Sequence, residues 1–162
     1  MTKVAVLDDW QGMARPNADW SALEARAEVV FFAEAFQSED EAAEKLAEFD
    51  IVLSMRERTP LPASLIHRLP RLRMLGITGV ANRTLDVAAC TARKIMVANT
   101  VGHGQHRNAT AELALGLMLA AARSIPAADA NVKSGRFQEG LPAGISMWGK
   151  TIGIIGLGKL GT

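Results

Sequence analysis

Five times between Val4 and Asn99 a short β-rich run gives way to a longer stretch of helical periodicity, and no other feature constrains the fold as strongly. Short runs rich in β-branched residues that alternate with amphipathic helices build a parallel sheet covered by helices on both faces, because each crossover lays a helix against the sheet. The pattern predicts strands at Val4 to Leu7, Glu28 to Phe32, Ile51 to Ser54, Arg73 to Ile77 and Ile95 to Val97. It predicts helices near Trp20 to Ala27, Glu39 to Glu48, Pro62 to Arg68 and Leu85 to Thr91. Ser38 ahead of Glu39, Asp40 and Glu41 marks a helix start, since its hydroxyl can cap free amides and the acids lie at the positive end of the helix dipole.

Past Asn99 the character changes. Val101 to Arg107 is polar and Gly-rich and reads as a connection, so the boundary is set there, with one α/β unit over residues 1–99 and a second beginning at 100–162. Ala109 to Ser124 is the strongest helix in the chain, apolar nearly all round, and is expected to be largely buried. Ile125-Pro126 stops it, a further helix runs through Ala127 to Lys133, and Ser134-Gly135 ends that one. A loop through Gly140, Pro142 and Gly144 leads to an expected last strand, Thr151 to Ile155.

That strand runs into G-x-G-x-x-G, spelled Gly156-Leu157-Gly158-Lys159-Leu160-Gly161. Gly156 permits a tight turn, Gly158 lets backbone approach a pyrophosphate, and Gly161 lets a following helix pack on the strand. Such a helix would hold phosphates at its amino terminus. A structural Gly-rich turn is the plainer alternative. The acidic residue that would choose between NAD and NADP is expected about 20 residues downstream, past Thr162, so either dinucleotide is compatible.

Composition excludes several classes of partner. With 49% hydrophobic residues, 22% charged residues and a net charge of +1, there is no field to attract nucleic acid or an anionic membrane. The longest apolar stretch in a helical segment, Leu113 to Ala122, falls well short of the about 20 residues a span needs. The amino terminus passes directly into a strand pattern instead of a secretory leader, and the single Cys90 cannot form an internal disulfide, so a reducing cytoplasm is expected. Cys90, in Val87-Ala88-Ala89-Cys90, reads as a small buried residue more readily than as a nucleophile.

The order of these elements resembles the D-2-hydroxyacid dehydrogenases, the family of phosphoglycerate, glyoxylate/hydroxypyruvate and D-lactate dehydrogenases. The resemblance is carried by Met55-Arg56-Glu57-Arg58-Thr59-Pro60-Leu61, Gly76-Ile77-Thr78-Gly79-Val80-Ala81-Asn82 with Asp86, Asn99-Thr100, Thr110-Ala111-Glu112-Leu113 and the Gly-rich fingerprint. It implies a flavodoxin-like substrate domain followed by the start of a Rossmann NAD(P)-binding domain. The implied activity is hydride transfer between NAD or NADP and a small 2-keto or D-2-hydroxy acid, in a homodimer. The loops Asn82 to Asp86 and Val101 to Asn108 are longer than in the phosphoglycerate-type members and fit a branch with a T-G-x-x-N loop, which leaves the particular acid open.

The resemblance also implies roles. Arg56 would help receive the substrate carboxylate or its neighbouring polar group, for which a guanidinium has bidentate geometry. Thr78, Gly79 and Val80 would offer backbone amides to the same group, and Thr110 would lie beside the nicotinamide, with Gly156, Gly158, Lys159, Leu160 and Gly161 around the pyrophosphate. The plainer alternatives are solvated loop charges for Arg56 and Arg58, a simple turn at Gly79 and a helix cap at Thr110. The family's second arginine, its histidine acid/base and its orienting carboxylate are expected downstream, so no catalytic residue is assigned here and the chain alone is expected to be inactive and to associate through Ala109 to Ser124. His67 ends a helix, while His103 and His106 lack the carboxylate or thiol company of a metal site, so none is assigned. Two other classes stay open: a non-catalytic dinucleotide-binding regulator on the same fold, and a receiver-like signalling module suggested by Asp8-Asp9. The latter lacks an aspartate at Ser54-Met55-Arg56.

Overall fold

The computed structural model describes residues 1–100, 109–156 and 158. The chain divides into two compact units, Met1–Gly102 and His103–Thr162. The first holds five strands, β1 (Thr2–Val6), β2 (Ala27–Phe31), β3 (Ile51–Ser54), β4 (Met74–Ile77) and β5 (Met96–Asn99). All are parallel, in the order β2-β1-β3-β4-β5. This is the flavodoxin-like order, in which the direction of winding reverses between β1 and β3. The helices are α1 (Ser21–Glu24), α2 (Glu39–Leu46), α3 (Ala63–His67) and α4 (Val87–Ala92).

Strand limits fall within a residue or two of those expected, and α1 is much shorter than the Trp20 to Ala27 pattern. Ser38 caps α2 by accepting from the Glu41 amide at 3.1 Å, and Asp86 caps α4 by accepting from the Ala89 amide at 2.8 Å. Alternation along the strands sends Ala5, Leu7, Val52, Leu75 and Ile77 to one face. There they meet Ala42, Ala43 and Leu46 of α2, Leu65 and Ile66 of α3, and Ala89 and Cys90 of α4 in a single core. Cys90 is wholly buried, and burial pushes its thiol above the ordinary range. The second face is covered less completely than the pattern predicts. Val4 and Val6 are buried and Trp20 packs edge-on against Phe31, but Ile51, Leu53 and Met74 are only half-buried and Met96 is exposed. Among the described residues of the first unit no further helix lies against that side.

The second unit contains α5 (Ala109–Ala122) and α6 (Ile125–Lys133), bent by 65° at a break carrying Ser124 in a left-handed conformation. Two expectations are corrected here. Helix α5 has no buried residue: Leu113, Leu115 and Leu117 are all more than half exposed. An apolar surface drives burial only where another element covers it. Thr151 to Ile155 forms no strand, because a strand is defined by a ladder partner and none lies beside it among the described residues. No single helix among the described residues is long and apolar enough to cross a membrane.

Candidate functional site

The carboxyl ends of β3 and β4 lie side by side, Ser54 opposite Ile77, so the turns that follow them share one edge of the sheet. In α/β sheets this edge is where ligands bind, since loops converge there while the strands hold them. Two backbone bonds tie the connections together farther on: the Leu61 amide donates to the Thr84 carbonyl at 3.0 Å and the Asp86 amide to the Leu61 carbonyl at 3.0 Å.

Arg56 takes a left-handed backbone, φ +53°, uncommon for a side chain of its size. Its amide donates to Thr78 Oγ1 at 3.0 Å and its carbonyl accepts from Asn82 Nδ2 at 2.7 Å. Asn82 is buried, and its Oδ1 accepts both the Thr84 amide and hydroxyl at 2.8 Å. Gly79 has φ +101°, and the Arg56 guanidinium comes within 2.5 Å of where a β-carbon at Gly79 would sit. The guanidinium therefore lies on bare backbone that only glycine leaves open.

The three neighbouring amides differ. That of Thr78 donates to the Ser54 carbonyl at 3.1 Å and that of Gly79 to Thr100 Oγ1 at 3.0 Å. The Val80 amide has no acceptor among the described residues, and Val80 is 64% exposed. The amides of Thr78 and Gly79 thus have acceptors within the turn, and that of Val80 has none among the described residues. Asn99 at the end of β5 steadies it by donating to the Val80 carbonyl at 2.8 Å.

The Arg58 guanidinium donates to the Asp8 carbonyl at 2.7 Å and lies 4.4 Å from the centre of the Trp10 ring, so it is not a free loop charge. Asp9 is used as a cap, its Oδ1 accepting from the Met13 and Ala14 amides at 2.7 and 3.0 Å. Sequence reasoning missed Asp8, Trp10 and Arg58 as one group, because Arg58 lies far along the chain from the other two. The only signal was a pair of acids and an aromatic at a strand end.

Thr110 is exposed in the first turn of α5, inside the helix and not at its cap position. Gly156 has φ +94° with open space around it, the conformation a tight phosphate-loop turn uses, and Gly158 is likewise unobstructed. What is described of the fingerprint therefore fits a dinucleotide. Lys159, Leu160 and Gly161 lie outside the described residues, as do His103 and His106. His67 is exposed at the end of α3.

The model of the family described as D-isomer specific 2-hydroxyacid dehydrogenase, catalytic domain, matches residues 4–151. A D-3-phosphoglycerate dehydrogenase of Methanocaldococcus jannaschii is 39% identical over 76% of this chain and 23% of its own length. The crystal structure of a phosphoglycerate oxidoreductase from Vibrio cholerae is similar over 99% of this chain and 50% of that one, with a TM-score of 0.87 and 33% identity. The apo-structure of D-lactate dehydrogenase from Escherichia coli shares the fold, with a TM-score of 0.74 and 23% identity over 99% of this chain and 50% of that one. The chain thus spans about a quarter of the first relative's length and half that of the solved structures.

Proposed function

The chain belongs to the D-isomer specific 2-hydroxyacid dehydrogenase family, and from that premise we propose that it supplies the substrate-binding part of an NAD(P)-dependent oxidoreductase interconverting a 2-keto acid and a D-2-hydroxy acid. The observation that carries this reading is the convergence of the Arg56 guanidinium and the Gly79-Val80 turn at the ends of two adjacent strands. A guanidinium beside a backbone amide with no acceptor among the described residues suits a planar carboxylate, which accepts from both. Arg56 holds the substrate carboxylate, Val80 donates its amide to the same group, and Gly79 leaves the room that both need.

Residues 1–99 serve as the substrate domain and 100–162 as the beginning of the dinucleotide-binding domain. Thr110, Gly156, Gly158, Lys159, Leu160 and Gly161 belong to the cofactor's surroundings, where bound NAD or NADP accepts or delivers hydride. Proton exchange with the substrate hydroxyl needs a group titrating near neutrality. We assign that histidine, its carboxylate and a second arginine to the part of the family's length this chain does not span. The exposed apolar α5 supports a homodimer, and the reduced single cysteine suits the cytoplasm.

The test is oxidation of NADH and NADPH with glyoxylate, hydroxypyruvate and pyruvate, the mass of each preparation being checked. A form extended to the family's length is expected to turn over at least one acid, and the 17.3 kDa chain alone none. Dinucleotide binding without turnover of any 2-keto acid in the extended form would overturn the enzymatic reading in favour of a non-catalytic regulator.

A further inference from the structure

We propose that Asp8 and Trp10, in the loop after β1, are positioning residues for Arg56: by holding Thr59 and Arg58 they fix the Met55–Thr59 turn in the shape that lays the Arg56 guanidinium over Gly79. The inference rests on the reading of Arg56 as the carboxylate ligand.

A side chain as large as arginine is disfavoured in the left-handed region, and such a backbone persists only when its surroundings over-determine it. Arg56 is fixed on its own side of the turn by Thr78 and Asn82. The other end of the turn is fixed from β1. Thr59 is buried and its hydroxyl donates to Asp8 Oδ1 at 3.0 Å. One residue earlier, Arg58 donates to the Asp8 carbonyl and stacks on Trp10. Trp10 keeps 51% exposure, so the visible work of its ring is to carry that guanidinium.

Asp8 is a costly residue for a merely structural place. It has φ +59°, it is 1% exposed, and its Oδ2 has no hydrogen-bond partner among the described residues. Burial holds its carboxyl above the usual carboxylate range, with the Thr59 hydroxyl and Arg58 opposing that shift. A buried carboxylate oxygen left without a partner asks for a reason other than stability. Its side chain and carbonyl both end on the turn that bears Arg56. Arg58, drawn toward β1, is part of this clasp and not a second anion ligand.

The experiment uses the whole 15N-labelled chain titrated with oxamate, an unreactive 2-keto acid isostere, with the amides of Arg56, Gly79 and Val80 followed by NMR. The wild type is expected to show saturable shifts at these amides. Asp8→Ala and Trp10→Ala should weaken oxamate roughly tenfold or more, as loss of a supporting partner does. Asp8→Asn and Trp10→Phe, which keep an acceptor oxygen and a ring, should bind close to wild type. A merely structural role would lower the melting temperature of the alanine variants and leave the affinity of the folded protein unchanged, and that result overturns the proposal. If Asp8→Ala does not fold, the Trp10→Ala and Trp10→Phe pair decides. Arg56→Ala separates the two readings. Wild-type affinity in that variant, or no shifts in the wild type, sinks both the ligand reading and the clasp. Loss in Arg56→Ala beside unchanged Asp8→Ala and Trp10→Ala sinks the clasp alone.

Discussion

Residues 1–102 and 103–162 use apolar side chains in opposite ways. In the first unit Leu7, Leu46, Leu61, Leu65, Ile66, Leu69 and Leu75 are fully buried around one face of a sheet. In the second, Leu113, Leu115, Leu117 and Leu119 stand exposed along α5, and the one buried residue among those described is Asn131, whose Nδ2 donates to the Glu139 carbonyl at 2.7 Å. A hydrophobic pattern states a demand for cover. Whether the demand is met depends on topology: five parallel strands give the first unit a surface that helices of eight residues or fewer can close, and no such surface is found among the described residues of the second.

The contrast is broken or sharpened most forcefully by truncating a leucine in each unit. Leu46→Ala should destabilise the chain by about 2–5 kcal/mol in urea titration, the usual range for a packed leucine, whereas Leu117→Ala, at a dilution where the chain is monomeric, should fall within about 0.5 kcal/mol. A large cost at Leu117 would mean that α5 is covered in solution.

Glycines give the next largest difference. Gly79→Ala meets both the Arg56 guanidinium and φ +101°, and is expected to cost about 1–3 kcal/mol. Gly135→Ala, at φ +75° in open space, should cost about 1 kcal/mol from backbone alone. Equal melting points for the two would remove the claim that Arg56 fills the space above Gly79.

Ion pairs supply the smallest effect. Asp50 accepts the Lys3 amide at 2.9 Å and meets Arg71 and Arg73, which together hold its carboxyl below the usual range. Its contribution is therefore present above the unfolded carboxyl's value, about 4, and lost as pH falls through the lower folded value. Asp50→Asn should cost about 1 kcal/mol at pH 7 and converge on wild type in strong acid. The exposed Asp129–Lys133 pair of α6 should contribute only about 0.3–0.5 kcal/mol and fade with salt. An Asp129→Asn loss matching that of Asp50→Asn would erase the distinction.

What was legible in the chain follows the same line. The β1 to β5 strands, the Ser38 cap and the buried Cys90 rest on local periodicity or local hydrogen bonding, and these are written within a few neighbouring residues. The unpaired Thr151 to Ile155 was not legible, because it depends on what stands beside it, whereas the exposed face of α5 agrees with the expectation that the chain associates through Ala109 to Ser124. At the site, Arg56 and Gly79 could be singled out from their motifs, but their mutual contact could not. Nor could the grip of Asp8 and Trp10 on Thr59 and Arg58, which spans about the whole length between two crossovers.

The place of β1 between β2 and β3 sets an order of events. Val4 faces Val29 on one side and Ile51 on the other, so the amino-terminal strand waits for two complete crossovers before its second flank exists. Each pairing in this sheet closes a long loop before it is rewarded, which places the unit among slow-folding, high contact-order topologies. During synthesis the first fifty residues leave the ribosome with one edge of β1 unzipped. They stay open to misassociation until Ile51–Ser54 arrives to close it.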